Sequence, residues 1–372
     1  MTNAKRTFRF LKENAVACVA AFAAAVTCFL VPPDANYLSY FDFKTLICLF
    51  LTLAVISALR NIKFFTILSR RLVVIAGSLR LLFLLLVSIT FLGSMIIAND
   101  MALITFLPLG YFALSVTHKE RYMAYLFILQ NISANLGGML TPFGNPQNLY
   151  LYSYFDIPTD EFLSVMAPPF ACAVCLLSLA CLFVKNEKLT ITDRFDTPLN
   201  RRRAALYLAL FFLSILIVFR VLDAFLGLIL ITSALLFLDR EAVKMVDFPL
   251  LLTFCFFFVF SGNLSRIPAV HTLFERLLSR DAFLISTASS QVISNVPSAI
   301  LLSRFTEDSK ALLLGVNVGG VGTLISSLAS LITFREFCVL YPGHRRQYLL
   351  LFSLLNLIFL SVMVLFVEVF LL

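Results

Sequence analysis

Long apolar runs recur from one end of the chain to the other, and they constrain its fold more than any other feature. Many reach about 18 residues or more, enough for a helix to cross about 30 Å of hydrocarbon. The mean hydropathy is +0.96 and charged residues make up 13% of the chain, about half the share of a soluble domain. The runs do not alternate as the strands of a membrane β-barrel do. The sequence therefore predicts an all-α polytopic membrane protein.

Basic residues are concentrated in alternate loops, which predicts the orientation of the chain. They precede the first apolar run, within residues 1–12, and they return at 60–71 and 185–203. The intervening loops 32–42 and 151–161 contain acids and no Lys or Arg. Cytoplasmic loops carry the excess of basic residues, so we expect a multi-pass protein of a bacterial-type plasma membrane with its N-terminus in the cytoplasm. The same placement explains the net charge of +8 without a nucleic-acid partner.

Threading the chain by this charge bias assigns nine membrane spans. The predicted spans are 13–31, 43–60, 121–141, 162–184, 204–220, 222–238, 248–264, 311–334 and 347–370. Two further apolar stretches, 81–117 and 281–303, would begin and finish on the same side of the membrane. Each is interrupted by polar residues, at 98–100 and at 294–298. Both are predicted to be re-entrant helical hairpins.

The two halves of the chain contain matching segments in the same order. The matched pairs are 41–53 with 246–258, the basic amphipathic segments 63–74 with 269–280, 99–104 with 295–300, and 135–141 with 317–323. The last pair shares the pattern N-x-G-G-x-x-T. By the charge bias Asp42 lies outside and Asp247 inside, so the copies would have opposite orientations. Inverted-topology repeats are typical of secondary transporters.

These observations divide the chain into four predicted regions. They are a cytoplasmic segment and first helix (1–40), repeat 1 (41–184, with hairpin 81–117 and broken helix 121–150), a loop with two linking helices (185–245), and repeat 2 (246–372, with hairpin 281–303, broken helix 311–334 and last helix 347–370).

The stretch NLGGMLTPFGNPQNLYL, residues 135–151, predicts a broken transmembrane helix. It contains two prolines, three glycines and four side-chain amides inside a long apolar region. Irregular backbone at membrane depth is tolerated only where protein or a water-filled cavity satisfies it. The N-terminus of a half-helix attracts an anion, while freed carbonyls and amides can hold a cation.

Candidate ligands follow from the broken helices and the hairpin tips. Asp100 is the acid most clearly centred in an apolar region, and an intramembrane ionisable residue is usually functional. The predicted substrate ligands are Asn99, Asp100, Gly144, Asn145, Pro146, Asn148, Ser294, Asn295 and Thr323. The predicted coupling-ion ligands are Asn99, Asp100, Gly138, Thr141, Asn295, Asn317 and Gly320.

Three of these stretches resemble the signatures of a known superfamily. They are ANLGGMLTPFGNPQNL (134–149), SNVPSAILL (294–302) and LLGVNVGGVGTLISSLASLI (313–332). They resemble signatures of the ion-transporter superfamily that includes divalent anion/sodium symporters, citrate permeases and arsenite permeases. The similarity of the chain to this superfamily spans roughly residues 40–335. The resemblance implies an elevator-type transporter, commonly dimeric, with a scaffold domain and a mobile domain that carries both hairpins.

The departures from the family pattern leave the substrate and the coupling ion open. The dicarboxylate branch has Ser-Asn-Thr at both tips, whereas this chain has Ala98-Asn99-Asp100 and Ser294-Asn295-Val296. An Asn-Asp tip is similar to the arsenite permeases, where coupling to protons is expected. The leading interpretation is an ion-coupled transporter of a small anion, such as citrate or another di- or tricarboxylate. The alternatives are a sodium/proton antiporter and an arsenite-type oxyanion permease.

Other function classes lack a signature in this chain. There is no H-E-x-x-H, no G-x-S-x-G and no nucleotide-binding motif, and the histidines lie in loops between spans. An enzyme or a channel is therefore the weakest interpretation. We expect no cofactor apart from a coupling cation, either sodium or a proton. The expected partners are the small anion, the coupling cation, membrane lipid and a second copy of the chain.

Overall fold

The computed structural model describes residues 15–68, 75–189 and 199–372. Within these ranges the regular structure is helical, and β-pairing is limited to the isolated bridge between Ser78 and Lys188. Six helices are long and apolar enough, by length and composition, to cross a membrane. The prediction of an all-α polytopic membrane protein is confirmed.

The helices of the first half and of the linking region follow in chain order. They are α1 (Ala15–Leu30), α2 (Phe43–Asn61), α3 (Leu79–Ile97), α4 (Asn99–Val116), α5 (Met123–Gly137), α6 (Pro146–Tyr154), α7 (Thr159–Leu182), α8 (Arg201–Val218), α9 (Ala224–Leu238) and α10 (Arg240–Lys244). The helices of the second half are α11 (Phe248–Ser265), α12 (Pro268–Leu278), α13 (Ala282–Ile293), α14 (Asn295–Leu302), α15 (Ser309–Val318), α16 (Leu328–Leu340) and α17 (Arg345–Phe370).

Aspartates fix the first turns of several helices. The Oδ1 atoms of Asp42, Asp247 and Asp281 accept hydrogen bonds from the backbone N–H groups three residues later, at 3.0, 3.0 and 2.7 Å. Each bond satisfies an N–H group that has no partner within its helix. The starts of α2, α11 and α13 are therefore set by local sequence.

The helices pack mainly within two groups. The framework group is formed by α1, α2 and α8–α11, that is, by residues 15–61 and 201–265. The hairpin group is formed by α3–α7 and α13–α17, residues 79–182 and 282–370. Between the groups, α6 packs on α2 and α14 packs on α11.

The helix pair α3–α4 begins and ends beside one loop. The backbone N–H of Leu79 donates to the carbonyl oxygen of Glu187 at 2.8 Å. The Glu187 carboxylate pairs with Lys119 and, at 2.8 Å, with Arg121, both of which follow α4. The base of this first hairpin therefore lies at the C-terminal end of α7.

The helix pair α13–α14 has its base at the other end of the molecule. The Phe305 ring, after α14, stacks on Phe274 of α12 with 4.9 Å between ring centroids. Arg304 donates to the carbonyl oxygen of Tyr40 at 2.7 Å, and its guanidinium lies 5.3 Å from the ring centroid of Tyr154. Tyr154 lies just before α7, whose 24 residues extend about 36 Å. The bases of the two hairpins thus lie at opposite ends of α7.

The arms of the two hairpins differ in length. The arms α3 and α4 have 19 and 18 residues, and each is long enough to cross a membrane. The arms α13 and α14 have only 12 and 8 residues. The amphipathic segment predicted at 269–280 corresponds to α12. Of the matching segment 63–74, residues 69–74 lie outside the described residues, as do 1–14 and 190–198.

Candidate functional site

The two hairpin tips share one backbone conformation. Ala98 has φ 61° and ψ 150°, and Ser294 has φ 78° and ψ 154°. Positive φ costs a residue other than glycine on the order of 1–3 kcal/mol and persists where surrounding contacts hold it. The next residue in each tip is an asparagine: Asn99 Oδ1 accepts from the N–H of Asp100 at 3.0 Å, and Asn295 Oδ1 accepts from the N–H of Val296 at 2.9 Å.

Each tip is held by a threonine from the segment that follows a helix break. Thr141 donates its hydroxyl to the carbonyl oxygen of Met95 at 2.7 Å. Thr323 donates its hydroxyl to the carbonyl oxygen of Gln291 at 2.9 Å. Both acceptors lie three residues before their tips, and both threonines end the N-x-G-G-x-x-T pattern. Matching motif residues therefore make matching contacts in the two halves.

The first helix break is stabilised by a side-chain amide. After α5 the chain makes one 3₁₀ turn, Gly138–Leu140, and becomes helical again at Pro146. The Nδ2 of Asn148 donates to the carbonyl oxygens of Gly138, Met139 and Thr141 at 3.1–3.2 Å. These carbonyls lack the helical N–H partner that an uninterrupted helix would supply, so Asn148 takes its place.

Glycine is required where this turn closes on itself. A Cβ added at Gly144 would lie 2.3 Å from the carbonyl oxygen of Gly138. A Cβ at Gly138 would lie 2.3 Å from Asn145 Oδ1. Neither position has room for a side chain, so the two predicted ligand glycines also have a structural role.

A chain of buried amides links the first tip to both broken helices. Asn99 donates to Asn135 Oδ1 at 3.1 Å, and Asn317 donates to Asn148 Oδ1 at 2.6 Å. Asn145 joins the two pairs, donating to the carbonyl oxygen of Asn135 at 3.4 Å and to Asn317 Oδ1 at 3.5 Å. All five side chains belong to residues at most 4% exposed. Buried amides require such partners, so the network stabilises the fold whatever else it binds.

One cavity lies between the two helix groups at the first tip. The residues that line it are Leu49, Thr52, Leu53, Ile56, Ala98, Asp100, Met101, Phe143, Asn145, Pro146, Leu149, Asp247 and Leu250. The N-termini of α4, α6 and α11 all reach it. Its volume is about 20 Å³, which is room for about one water molecule. The arrangement is closed, because a citrate-sized molecule does not fit.

The electrostatics of the cavity combine helix ends with carboxylates. Helix N-termini carry partial positive charge and expose N–H groups, and neither α4 nor α6 has a side-chain cap among the described residues. Asp100 and Asp247 contribute the two acidic side chains of the lining, which contains no Lys, Arg or His. Asp247 uses one oxygen to cap α11. Anionic side chains are stabilised at such helix ends, so part of their role is structural.

Several acceptor oxygens near the cavity have no donor in the described part of the chain. They are Asp100 Oδ1, Asn145 Oδ1 and Gln147 Oε1, and all three are buried. A buried oxygen without a donor costs about 1–3 kcal/mol relative to a satisfied one. Such oxygens are the atoms that a hard cation would coordinate.

The structure separates the predicted site residues into four sets. Asp100, Asn145 and Pro146 line the cavity, while Asn99, Asn148 and Asn317 lie in the amide chain. The remaining predicted ligands lie in the glycine-rich turn or at the second tip. Those in the turn are Gly138, Thr141 and Gly144; those at or beside the second tip are Ser294, Asn295, Gly320 and Thr323.

The second tip forms its hydrogen bonds with residues of the second half of the chain. The N–H of Asn295 donates to the carbonyl oxygen of Ser326 at 2.9 Å, and Ser294 Oγ donates to the same oxygen at 3.3 Å. The Asn295 Nδ2 lies beside Gly320, 3.0 Å from where a Cβ would be. Thr323 is exposed and bonded to Gln291. Neither tip residue of this hairpin lines the cavity that contains Asp100.

Asp247 is the acidic residue at the cavity that was not among the ligands predicted from the sequence. An acid directly before an apolar run is predicted to be a helix cap, and Asp247 is one. Phe248, the next residue, contacts Phe50 with 6.4 Å between ring centroids, which brings the start of α11 to the middle of α2. The available signal was its match to Asp42 in the other half. That match indicates a repeat but not the depth of the residue.

Comparisons with known proteins agree with the helical architecture and the signatures. The model of the citrate transporter family matches residues 7–313. The uncharacterized transporter MJ0456 of Methanocaldococcus jannaschii is 33% identical over 341 residues, covering 88% of this chain and 90% of that protein. The inner membrane protein YbiR of Escherichia coli is 30% identical over 301 residues, covering 79% of this chain and 80% of that protein.

The family match covers most of the chain and includes both hairpin tips. It confirms the resemblance inferred from residues 134–149 and 294–302. It also agrees with the absence of enzyme motifs from the sequence. The chain belongs to the citrate transporter family, and it is a multi-pass membrane transporter, not an enzyme.

Proposed function

We propose that this chain is an ion-coupled secondary transporter of a small anion, with citrate or another di- or tricarboxylate as the substrate. The observation that carries the proposal is the convergence of the α4 and α6 N-termini on one cavity between the helix groups. The Asp100 N–H donates to Asn99 Oδ1, and the other first-turn N–H groups of these two helices can bind a carboxylate without any basic side chain. In this arrangement the cavity is too small for citrate, so binding requires the groups to separate.

The separation is an elevator movement of inverted repeats. Its support is threefold: the tips share a backbone conformation, the hairpin bases lie at opposite ends of α7, and the helices pack in two groups. The hairpin group would move and the framework group would stay in place. The repeats are then residues 41–184 and 246–372, with the inverted orientation that secondary transporters use for alternating access.

The coupling ion is a proton or sodium, and Asp100 is the residue on which coupling depends. A carboxyl group buried at a hairpin tip is stable when it binds either a proton or a cation. We further propose that the protein is a homodimer in the plasma membrane, with its N-terminus in the cytoplasm. The charge bias of the loops supports this orientation.

One observation favours a second candidate, an arsenite-type oxyanion permease or a sodium/proton antiporter. The cavity contains two carboxylates and, among the residues that line it, no basic side chain. An electrically neutral oxyacid or a cation is easier to accommodate there than a trivalent anion. Citrate transport therefore requires that the partial positive charge of the helix N-termini outweigh the negative charge of the two carboxylates, or that a cation enter with the substrate.

Uptake by purified protein in proteoliposomes tests the substrate proposal. Labelled citrate, succinate, phosphate and arsenite are supplied one at a time under separate sodium and proton gradients. We expect saturable citrate or dicarboxylate uptake that follows one of the gradients. Uptake of arsenite alone would favour the second candidate. Exchange of sodium for protons without uptake of any of these substrates would contradict the anion-transporter proposal.

Arg220 provides a test of the movement itself. It lies between α8 and α9, and it donates to the carbonyl oxygen of Tyr152 at 2.6 Å and pairs with Asp156 at 2.8 Å, so it joins the two groups. Arg266 pairs with Asp34 at 2.7 Å at the ends of α11 and α1, both in the framework group. We expect Arg220→Gln to change the labelling of cysteines introduced at the tips, and Arg266→Gln to leave it unchanged. Equal labelling in both variants would argue against relative movement of the groups.

A further inference from the structure

The start of α11 brings a second carboxylate to the first hairpin tip. Asp100 belongs to the hairpin group and Asp247 to the framework group, and both line the same cavity. Of the acids that the structure describes in the hairpin group, Asp100 alone faces this cavity. We propose that one hard cation binds between Asp100 and Asp247, with a carboxylate oxygen from each helix group among its ligands.

The ligand atoms are oxygens that lack a donor. Asp100 Oδ1 is buried and has no hydrogen-bond partner within the described residues. Asn145 also lines the cavity, is 1% exposed, and its Oδ1 has no donor there either. Asp247 binds the N–H of Leu250 with Oδ1 at 3.0 Å, which leaves its second oxygen for another partner. Carboxylate and amide oxygens are the ligands that hard cations prefer.

The size of the cavity selects the class of ligand. About 20 Å³ holds an object the size of one water molecule. A bare sodium or magnesium ion fits this space, and a carboxylate substrate does not. Two carboxylates in a small, largely apolar space repel each other strongly, and a cation between them removes that repulsion. The cation therefore stabilises this closed arrangement of the two groups.

The inference deepens the proposed function and rests on it only in treating the helix groups as bodies that move. When the hairpin group slides, Asp100 moves away from Asp247 and the site loses one carboxylate. Cation binding would therefore be tight in the arrangement described and weak in the other. Asp247 becomes a coupling residue that remains in the framework while the tip moves past it.

The test measures cation binding by the full-length chain in nanodiscs, without substrate. Equilibrium binding of radioactive sodium is combined with circular-dichroism melting in sodium, magnesium or choline chloride at equal ionic strength. Asp247→Asn removes the charge and keeps an N-cap residue, and Asp247→Ser provides a second variant of the same kind. Asp42→Asn is the matched control, because Asp42 caps α2 in the same way but does not line the cavity.

We expect sodium or magnesium to raise the melting temperature of the wild type and of Asp42→Asn. In Asp247→Asn and Asp247→Ser the apparent affinity should fall at least about tenfold, the loss typical of a disturbed metal site. The sodium and magnesium arms identify which charge class is bound, and either one supports the proposal. A wild type that binds neither cation overturns it, as do Asp247 variants that bind like the wild type. The result is independent of uptake, so a failure here is distinct from a failure of the transport proposal.

Discussion

The hairpin tips at Ala98 and Ser294 differ at one informative position. Both have a positive φ followed by an asparagine that accepts from the next N–H. In the first tip that next residue is Asp100, which borders the cavity with Asp247. In the second it is Val296, and the backbone N–H of Asn295 is occupied by the Ser326 carbonyl.

The two tips share the features that fix their conformation and differ in the side chains available for binding. The shared features are backbone geometry and asparagine, which hold the turn in place. The carboxylate of Asp100, with an oxygen that has no partner among the described residues, occurs only at the first of the two tips, beside the cavity. Matching architecture thus carries different chemistry in the two halves, and the following experiments test that asymmetry.

The largest effect is expected from Gly137→Ala. A Cβ there would lie 2.2 Å from the carbonyl oxygen of Phe91, a backbone atom that cannot move aside. At the matching Gly319 the Cβ would lie 2.7 Å from the Ser290 Cβ and 2.8 Å from the Gly315 carbonyl oxygen, which are less severe overlaps. We expect a loss of about 3 kcal/mol of stability or more for Gly137→Ala, and a smaller loss for Gly319→Ala. Thermal melting and monodispersity in detergent measure the stability of both variants. Equal losses of stability would contradict the expected difference in packing between Gly137 and Gly319.

Asn99→Ala and Asn295→Ala test what the tips share. Each removes the amide that accepts from the following N–H, and Asn99 also loses its bond to Asn135. We expect both variants to lose uptake in proteoliposomes, at a cost of about 1–3 kcal/mol in stability. Expression level and monodispersity in detergent serve as the folding control. Wild-type uptake by both variants would show that the tips are not the binding site.

Asp100→Asn tests what distinguishes the tips, with Val296→Asn as the matched control. If the Asp100 carboxylate meets sodium, its loss should weaken the sodium dependence of uptake by about tenfold and affect substrate affinity less. If it carries a proton, the variant should transport without pH dependence or only exchange substrate. Val296→Asn should retain the wild-type ion dependence. Unchanged ion dependence under both gradients in Asp100→Asn would make this carboxylate structural.

The smallest effect concerns pH at the hairpin bases. The Lys119 ammonium that donates to Glu187, assisted by Arg121, holds the pKa of that carboxyl below its ordinary value of 4.5. A lowered folded pKa means that this stabilisation is present above pH 4.5 and is lost as the pH falls through the folded value. The second base uses the bond from Arg304 to the Tyr40 carbonyl, an acceptor that does not titrate.

Acid should therefore weaken the Glu187 contacts of the first base and leave the bond from Arg304 to the Tyr40 carbonyl at the second base unchanged. Hydrogen exchange of the first-turn amides of α3, corrected for intrinsic rates, should increase as the pH falls below 4.5 and through the folded pKa of Glu187. Glu187→Gln should show the faster exchange already at pH 7. Exchange that increases equally at both bases would indicate general acid unfolding.

The helix breaks can be predicted from the sequence because their residue types have a direct physical meaning. Glycine, proline and amide clusters inside apolar runs mark interruptions, and the structure breaks its helices at Ala98, Ser294 and between Gly137 and Pro146. The family resemblance came from the same residues. The resemblance did not identify Asp247, because a capping aspartate has the same local sequence pattern whether it faces solvent or a cavity between helices. Nor did it identify Asn148 as the donor that replaces helical N–H groups.

The sequence by itself determined the membrane class, the family and the positions of both tips, because each depends on hydropathy or on short motifs. The tertiary structure decided which of these residues meet. It brought Asp247 to the cavity that Asp100 lines, left Asn145 Oδ1 without a donor among the described residues, and placed the second tip away from that cavity. Asp100 and Asp247 are more than a hundred positions apart in the chain, and helix packing sets the distance between such residues in a way that no local pattern records.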